Sequence, residues 1–481
     1  MPHDKYEIVI GLEVHAQLLT QSKIFCGDDA SFGADANSHI SPISLGHPGT
    51  LPALNTVAIE YAIRLGLAMN CEINRNNYFA RKNYFYPDLP KGYQVTQHTE
   101  PICKKGFLII ESESTEKKIN LNRIHLEEDA GKSLHDQDAQ FTCIDLNRAG
   151  VPLVEIVTEP DLSSAEEAYS FLTELRKLLR WLGVCDGNME EGSMRCDANI
   201  SIRLRGEAAL GTRVEVKNLN SIRNVKRAIE VESARLIRLL EKKMPILQQT
   251  RGFDADKNDT FLLRSKEEAD DYRYFPEPDL PPVIVTDTQI SQIRSTLPVL
   301  PQELKRKYVN EFSLSAYDTQ ALVADKETAD FFERLSKDTT DYKTSANLLI
   351  GAIKSYCNET GTALAEFPVS TERLHELVQL IKSGQVNYNN ASSGILQELI
   401  RFPEKSAMSV AQQLNLIQVS DDNEIESWVD AALAAMPDKV EEYKKGKKGL
   451  QGLFAGVVKK LSKGKADMNS VNKILMEKLN Q

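Results

Sequence analysis

Four short segments of this 481-residue sequence carry polar side chains at the two-residue spacing of a β-strand face. The first is IGLEVHAQL, in which Glu13, His15 and Gln17 alternate with apolar residues. Residues two apart on a strand point to the same face, so we expect these three side chains to project together. Such a triplet is typical of a lined cleft and also of a solvated edge strand, and the pattern alone leaves both open.

The second segment, NRIHLEEDAGKS, puts Arg123, His125 and Glu127 on one face and continues into Glu128 and Asp129. Three adjacent carboxylates repel one another unless a cation or a basic side chain compensates their charge. A divalent metal ion is one form of compensation, and solvent at the surface is the other. Spacing alone does not choose between Glu127 and Glu128 as a metal ligand.

Glu155 is the sharpest anomaly in the sequence, because it stands in the middle of the apolar run VPLVEIVTEP. Burying a carboxylate without a partner is costly, so we expect a metal ion or an arginine beside it. The clustered groups are carboxylates with one imidazole and no thiolate, a ligand set that favours Mg²⁺ over zinc.

The fourth candidate consists of two strand-like segments in which acids and bases alternate on one face. These residues are Arg195, Asp197, Asn199 and Ser201 in the first segment and Arg213, Glu215 and Lys217 in the second. Alternating charge is typical of a site for Mg²⁺ and phosphate together, and equally of an exposed ladder of ion pairs. The sequence has no G-x-x-x-x-G-K-[ST], G-x-G-x-x-G or H-E-x-x-H motif. Nucleotide chemistry here therefore needs a site built from strands and carboxylates.

These segments must be positioned by a domain of strands and a few helices. Short alternating or β-branched stretches recur from residue 6 to about residue 290 and predict a mostly antiparallel sheet. Apolar residues at helical spacing predict helices over Leu54–Met69, Ser164–Leu182 and Ser221–Lys243. The fold class is therefore α+β, without the regular βαβ alternation of a doubly wound fold.

The pattern becomes helical after the proline-rich stretch PEPDLPPVIV. We predict three domains, residues 1–290, 291–404 and 405–481, of which the last two are all-α. The segment from Lys439 to Gln481 contains eleven lysines and four acidic residues. Its net charge is therefore 11 − 4 = +7, in a chain whose net charge is −11. Such an excess indicates a solvated helix face or a surface for a polyanion, and we favour the polyanion.

Composition excludes several classes of protein. A hydrophobic fraction of 41% with 26% charged residues predicts a globular chain rather than a disordered one. No apolar run approaches the ~20 residues of a membrane span, and the N-terminus has no signal- or transit-peptide character. We therefore expect a cytoplasmic protein that does not bind membranes. The seven scattered cysteines indicate neither a disulfide framework nor a zinc knuckle.

The whole chain resembles the B subunit of the heterotrimeric Glu-tRNA(Gln)/Asp-tRNA(Asn) amidotransferases. The matching strings include VIGLEVHAQL, RKNYFYPDLPKGYQ, LEEDAGKS, DLNRAGVPLVEIV, MEEGSMRCDANIS, VKNLNS, DDYRYFPEPDLPP and KKGKKGLQGLFAGVVKKLSKGKAD. The resemblance implies a cradle-shaped first domain related to glutamine synthetase, then a helical domain and a small tail that binds tRNA. It also implies that ATP, with Mg²⁺, phosphorylates the side-chain carboxylate of Glu-tRNA(Gln) or Asp-tRNA(Asn). Ammonia from an amidase (glutaminase) subunit then displaces phosphate, and a small third subunit fastens the other two together.

The resemblance also implies roles for particular residues. The metal ligands would be His15, Glu128 and Glu155, so the resemblance selects Glu128 over Glu127. Glu13 would be a catalytic residue near the metal, and Lys82 resembles a residue of the ammonia route. The remaining candidates, for the nucleotide or acyl-phosphate site, are Arg195, Asp197 and Lys217.

The sequence departs from the family at one site. Many members carry a four-cysteine zinc site, where this sequence has Cys26, Asp28, Ser41 and Ser44. One thiolate cannot make that site, so we expect no structural zinc.

Two other functions are weaker interpretations. A self-contained glutamine amidohydrolase would need a Gly/Ser-rich stretch with a paired lysine, which the sequence lacks. A non-catalytic tRNA-binding scaffold explains the basic tail but does not explain Glu155 among apolar residues.

Overall fold

The computed structural model describes residues 5–112, 115–265, 272–418, 422–462 and 465–480. Contacts divide the chain into two compact units, Met1–Leu300 and Pro301–Gln481. The first unit combines helices with a large, mostly antiparallel sheet, and the described part of the second is helical. The predicted mixed class with a helical C-terminal region is confirmed at this level. The division into three domains stays a prediction.

One large sheet organises the first unit. Its strands, with those of two smaller ladders, are β1 (Tyr6–Gln17), β2 (Glu72–Ile73), β3 (Asn76–Asn77), β4 (Ala80–Asn83), β5 (Tyr93–Thr96), β6 (Cys103–Lys104), β7 (Phe107–Ser112), β8 (Thr115–Glu128), β9 (Lys132–Leu134), β10 (Cys143–Asp145), β11 (Pro152–Thr158), β12 (Met194–Leu204), β13 (Val214–Leu219), β14 (Gln249–Asp254), β15 (Asp259–Ser265), β16 (Arg273–Pro276) and β17 (Val283–Ile284). The main path of the sheet runs β15-β14-β13-β12-β1-β11-β8-β5-β4-β16. Neighbouring strands on this path are antiparallel except β13 and β14, which are parallel.

In its described residues this unit has the α-helices α1 (Thr56–Ala68), α2 (Ala165–Trp181), α3 (Ile222–Glu241) and α4 (Asp287–Ser295). The three predicted helices are confirmed to within two residues at each end. They follow Asn55, Ser164 and Ser221 respectively. The side chain of each of these residues accepts a hydrogen bond from a backbone N–H of the first turn, which is the usual role of an N-cap.

The sheet has one apolar and one polar face along its central strands. In β1, Leu12, Val14 and Ala16 are fully buried and join the core that also contains the apolar residues of α2 and α3. The residues between them in sequence are polar and only half-buried. The alternation seen in the sequence therefore separates the core from the candidate site.

The second unit consists of short helices. They are α5 (Pro301–Asn310), α6 (Ala316–Leu322), α7 (Lys326–Ser336), α8 (Tyr342–Leu348), α9 (Lys354–Thr360), α10 (Thr371–Lys382), α11 (Tyr388–Asn390), α12 (Leu396–Arg401), α13 (Ala407–Gln413), α14 (Asp422–Ala434), α15 (Pro437–Lys444), α16 (Gln451–Leu461) and α17 (Met468–Asn480). Helices α14 to α17 share a core that includes Ile425, Phe454 and Leu475. Within the described ranges, no helix is long and apolar enough to cross a membrane.

Candidate active site

A cavity of about 650 Å³ lies on the polar face of the sheet. Its lining includes side chains from β13, β12, β1, β11, β8, β5 and β4, which are consecutive strands of the sheet. The register sets His15 opposite Glu155, and Glu155 opposite His125. Paired residues point to the same face, so these three side chains form a row across β1, β11 and β8. The volume lies within the range of ligand pockets, about 300–1,000 Å³.

Two histidines and two glutamates meet at the centre of this face, and we call them the central ring: His15, His125, Glu127 and Glu155. The Nε2 atom of His15 lies 3.6 Å from Glu127 Oε1 and 3.4 Å from Glu155 Oε2. The Nε2 atom of His125 lies 3.5 Å from Glu127 Oε2 and 3.4 Å from the same Glu155 oxygen. These separations exceed the ~2.7–3.2 Å of good N–H···O hydrogen bonds.

The donor set of the central ring fits a divalent cation. Ligand atoms of His15, Glu127 and Glu155 all lie within 4.8 Å of one another. Carboxylate oxygens are the preferred protein ligands of Mg²⁺, and imidazole nitrogen is a ligand for several divalent metals. A cation among these atoms would also compensate the two buried carboxylates, which is the compensation that Glu155 was expected to need.

The histidines provide that compensation by themselves when they carry protons. Burial opposes a charge on His15, but the Glu155 and Glu127 carboxylates outweigh burial and raise the pKa of His15 to about 9. Burial also acts against the charge of Glu155, yet His125 and His15 hold the pKa of this carboxyl well below its usual value. Metal binding needs a neutral imidazole, so a cation and the His15 proton compete for this place.

Glu128 was predicted as a metal ligand but does not belong to the central ring. Successive strand residues point to opposite faces, and Glu127 is the one of the two that lies in the ring. The metal ligand set stays a prediction. The Glu128 carboxylate lies on the other face, where it accepts hydrogen bonds from Lys91 Nζ at 2.6 Å and from the backbone N–H of Val95 at 2.8 Å. With Lys91 and Cys26 it lines a second cavity of about 230 Å³.

His125, the fourth member of the ring, was absent from the predicted ligand set although its spacing from Glu127 was visible in the sequence.

A second acidic group lies towards β13 and consists of Glu13, Asp197 and Glu215. Lys217 compensates it, with Nζ at 2.5 Å from Asp197 Oδ2 and 3.2 Å from Glu215 Oε1. Burial opposes the lysine charge, but the two carboxylates raise the pKa of Lys217 above its usual value. Burial and the nearby carboxylates raise the pKa of Glu13, and Asn199 donates to Glu13 Oε1 at 2.9 Å.

Arg195 is held at the cavity wall by the buried Asp129. Its Nη2 donates to Asp129 Oδ2 at 2.8 Å, and Gln17 Nε2 donates to the same oxygen at 2.8 Å. Burial opposes the charge of Asp129, but Arg195 and Arg148 keep the pKa of this carboxyl below its usual value. The predicted residues Arg195, Asp197 and Lys217 thus line one cavity, on adjacent strands.

Lys82 lines the opposite end of the cavity, on β4. Its Nζ lies 4.8 Å from the ring centre of Tyr272 and 5.7 Å from that of Tyr84, which is the geometry of cation–π contacts. The structure brings Lys82 into the cavity that holds His15 and Glu155.

The residues expected in place of a zinc site also meet in space. Ser44 Oγ donates to Asp28 Oδ2 at 2.6 Å, and the backbone N–H of Ser41 donates to Ser44 Oγ at 2.9 Å. Despite burial, the two serines lower the pKa of Asp28. Hydrogen bonds therefore join these two chain segments, and the expected absence of zinc stays a prediction.

Comparison with known proteins gives the family of this chain. The family model of the GatB/GatE catalytic domain matches residues 8–291, and that of the GatB domain matches residues 330–479. Proteins named as the B subunit of aspartyl/glutamyl-tRNA(Asn/Gln) amidotransferase are similar over the full length. Those of Nitratidesulfovibrio vulgaris (strain DP4) and Chlorobaculum tepidum are each 47% identical, covering 98% of this chain and 99% of the relative. That of Anaeromyxobacter dehalogenans (strain 2CP-1) is 48% identical, covering 100% of both.

The chain belongs to the family of tRNA-dependent amidotransferase B subunits. The central ring and the second acidic group both lie inside the segment that matches the catalytic domain of these B subunits. The cavity therefore lies within the part of the chain that matches the catalytic domain.

Proposed function

We propose that this chain phosphorylates the side-chain carboxylate of Glu-tRNA(Gln) or Asp-tRNA(Asn) with ATP and then forms the amide with ammonia. The observation that carries the proposal is the central ring beside the Lys217-compensated acidic group in one cavity. The similar proteins are named for an aspartyl/glutamyl-tRNA(Asn/Gln) amidotransferase, and that name supports the class of substrate.

The chemistry requires activation of a carboxylate, which is a poor acyl donor because oxide would have to leave. Phosphate is a good leaving group, so transfer of the ATP γ-phosphoryl group to the carboxylate prepares it for attack by ammonia. Mg²⁺ held by His15, Glu127 and Glu155 would neutralise phosphate oxygens during this transfer. Glu13, beside this group, is the remaining candidate for a catalytic carboxylate.

The nucleotide phosphates are assigned to the β12–β13 end of the cavity. Lys217 and Arg195 supply positive charge there, and Asp197 and Asp129 hold these two side chains in position. Oriented charges of this kind stabilise developing negative charge without reorganising during the reaction.

The remaining parts of the proposal concern the whole complex. Ammonia would come from a separate amidase (glutaminase) subunit along a route that includes Lys82, and a small third subunit would complete a cytoplasmic heterotrimer. The relatives are named as B subunits, which supports an assembly of several chains. We further propose a glutamine synthetase-like cradle over residues 1–290, a helical domain over 291–404 and a tRNA-binding tail over 405–481.

A transamidation assay on the co-expressed complex tests this function. It would offer Glu-tRNA(Gln) and Asp-tRNA(Asn) separately, with glutamine or ammonium as donor, each with and without ATP and Mg²⁺. We expect amide formation that requires both ATP and Mg²⁺. If no amide forms from either donor while the complex is intact and its glutaminase is active, this chain is a non-catalytic tRNA-binding scaffold.

A further inference from the structure

A group of four aromatic side chains, two of them exposed and two half-buried, borders the cavity at its β4 end. Tyr84 lines the cavity, while the next two residues, Phe85 and Tyr86, are 84% and 56% exposed. The Tyr84 ring contacts those of Tyr86 and Tyr272, with centroids 6.0 Å and 5.6 Å away. We call Tyr84, Phe85, Tyr86 and Tyr272 the aromatic rim.

Positive charge is interleaved with these rings. Lys82 lies over the rings of both Tyr84 and Tyr272. Aromatic rings alternating with lysine and arginine are typical of surfaces that bind single-stranded nucleic acid, because bases stack on the rings and phosphates contact the cations. The composition of the rim thus suits RNA.

The position of the rim separates it from the charges assigned to ATP. Lys217 and Arg195 lie on β13 and β12, whereas the rim residues directly follow β4 and directly precede β16, on the other side of the central ring in the strand order. Because Phe85 and Tyr86 lie at the surface, a strand that enters from solvent meets them before it reaches the ring.

We propose that the aromatic rim binds the unpaired 3′ end of the aminoacyl-tRNA, with the terminal base stacked on Phe85 or Tyr86. The aminoacyl ester would then point towards the central ring, and ATP would approach the ring from the opposite end. This inference rests on the proposed function and adds to it the location of one substrate.

Steady-state kinetics of the co-expressed complex carrying both Phe85→Ala and Tyr86→Ala test the inference. The KM for aminoacyl-tRNA should rise by about 5- to 150-fold, the range that corresponds to loss of one base stack, while the KM for ATP stays unchanged. A complex with Phe85→Trp and Tyr86→Phe keeps an aromatic ring at both positions. Its KM for aminoacyl-tRNA should equal that of the wild type. The matched control is Phe261→Ala, an exposed phenylalanine (46%) on β15 at the far edge of the sheet.

The outcomes separate this inference from the function on which it rests. An unchanged KM for aminoacyl-tRNA in an active complex would overturn the inference alone, and so would a raised KM for ATP. Absence of ATP-dependent amide formation by the wild-type complex would instead remove the proposed function.

A binding measurement tests the stack without catalysis. The probe is uncharged tRNA whose terminal adenosine is replaced by 2-aminopurine riboside, a base whose fluorescence falls when it stacks. We expect quenching by the wild-type complex and by the Phe261→Ala control, and none by the Phe85→Ala, Tyr86→Ala complex at equal tRNA occupancy. Equal quenching by all three would contradict the proposal.

Discussion

Glu127 and Glu128 are adjacent in sequence, yet their carboxylates have different partners. Glu127 faces His15 and His125 in the central ring, and Glu128 is bound to Lys91 on the other face of the sheet. At this end of β8, the face on which a residue lies therefore determines its partners more than its residue type does.

The first prediction separates these two carboxylates by metal binding. Glu127→Gln should weaken Mn²⁺ binding, used in place of Mg²⁺, by more than about ten-fold, because losing a ligand costs more than losing a partner of a ligand. The measurement is electron paramagnetic resonance of free Mn²⁺ during titration. Glu128→Gln is the matched control and should leave the affinity unchanged. An equal loss in both variants would show that the central ring is not the metal site.

A second prediction concerns the ion pair between the half-buried Arg195 and the buried Asp129. Arg195→Met should lower the free energy of unfolding at pH 7 by about 1–3 kcal/mol, the cost of leaving a buried polar group poorly satisfied. Because the pKa of Asp129 in the folded chain is depressed, its stabilisation is complete above the ordinary value of about 3.9. That stabilisation is lost as the pH falls below this value, towards the pKa of the folded state.

Urea unfolding from pH 7 downwards measures this effect. Wild type and variant should differ most at pH 7, and their midpoints should converge as the pH falls below about 4. A difference that does not depend on pH would mean that Arg195 stabilises the chain through packing and not through its charge.

The sequence predicted which residues belong to the site better than it predicted which of them contact one another. Two-residue spacing correctly put Arg123, His125 and Glu127 on one face, and Glu155 was correctly marked as needing compensation. Spacing does not show which face borders a cavity, however, so it left Glu127 and Glu128 open, and the resemblance selected Glu128, which lies outside the central ring. The pairing of Arg195 with Asp129 spans 66 residues and leaves no local signal.

At the scale of elements, caps and apolar spacing located the helices because both signals are local. Local signals could not predict the order of strands in the sheet, because strands that are distant in sequence become neighbours. The predicted antiparallel sheet also contains one parallel step, between β13 and β14. Helix α3 connects these two strands, and parallel neighbours need a crossover of this kind. The long helix was predicted, but not the βαβ unit it belongs to.

A third prediction tests how α3 is held at this edge of the sheet. Glu232 of α3 is fully buried and accepts hydrogen bonds from Arg235 at 2.6 Å and from Thr260 of β15 at 2.7 Å. Arg251 of β14 lies 3.5 Å away. Glu232→Gln should cost on the order of 3–5 kcal/mol, because two arginines lose their buried counter-ion.

Urea unfolding and amide hydrogen exchange measure this loss, and protection should fall first in β14 and β15. Glu230→Gln, on the exposed side of the same helix, is the control and should change stability by no more than about 0.5 kcal/mol. Equal stability of the two variants would show that the buried cluster adds nothing to the edge of the sheet.

At the scale of the whole molecule, the two compact units carry different kinds of surface. The first contains the cavity, and the end of the second carries the lysine excess. Several of these lysines are already paired, for example Lys445 with Glu441 and Lys447 with Glu442. The balance of +7 already subtracts these two glutamates, but Lys478 also pairs with Glu426 and Asp430, which lie before the segment. The net excess of the segment therefore overstates the charge that a polyanion would meet, and only the structure distinguishes paired from available lysines.

The fourth prediction concerns binding of tRNA by the tail. Lys459 and Lys460 are exposed at the end of α16, so Lys459→Glu with Lys460→Glu should preserve the core of α14 to α17. We expect weaker tRNA binding and a shallower dependence of log K on log salt, by about 0.7–0.9 for each phosphate that is no longer neutralised. Filter binding at several salt concentrations measures both.

The control for this prediction reverses the charge of two exposed lysines in the first unit, Lys242→Glu with Lys257→Glu. It changes net charge equally and should leave the salt dependence as in wild type. The same loss in both variants would indicate general electrostatic attraction, with no tRNA site in the tail.

The opposite orientations of Glu127 and Glu128 restrict how the gene for this chain can change. A codon deleted within Arg123–Leu126 would shift the residues on one side of it by one position and move their side chains to the other face. If the flank after the deletion kept its register, the ring would lose His125. If the flank before it kept its register, Glu128 would take the place of Glu127 in the ring, and Lys91 would face a different side chain. Mutation can therefore replace residues here one at a time, whereas a change in strand length can alter both cavities in a single step.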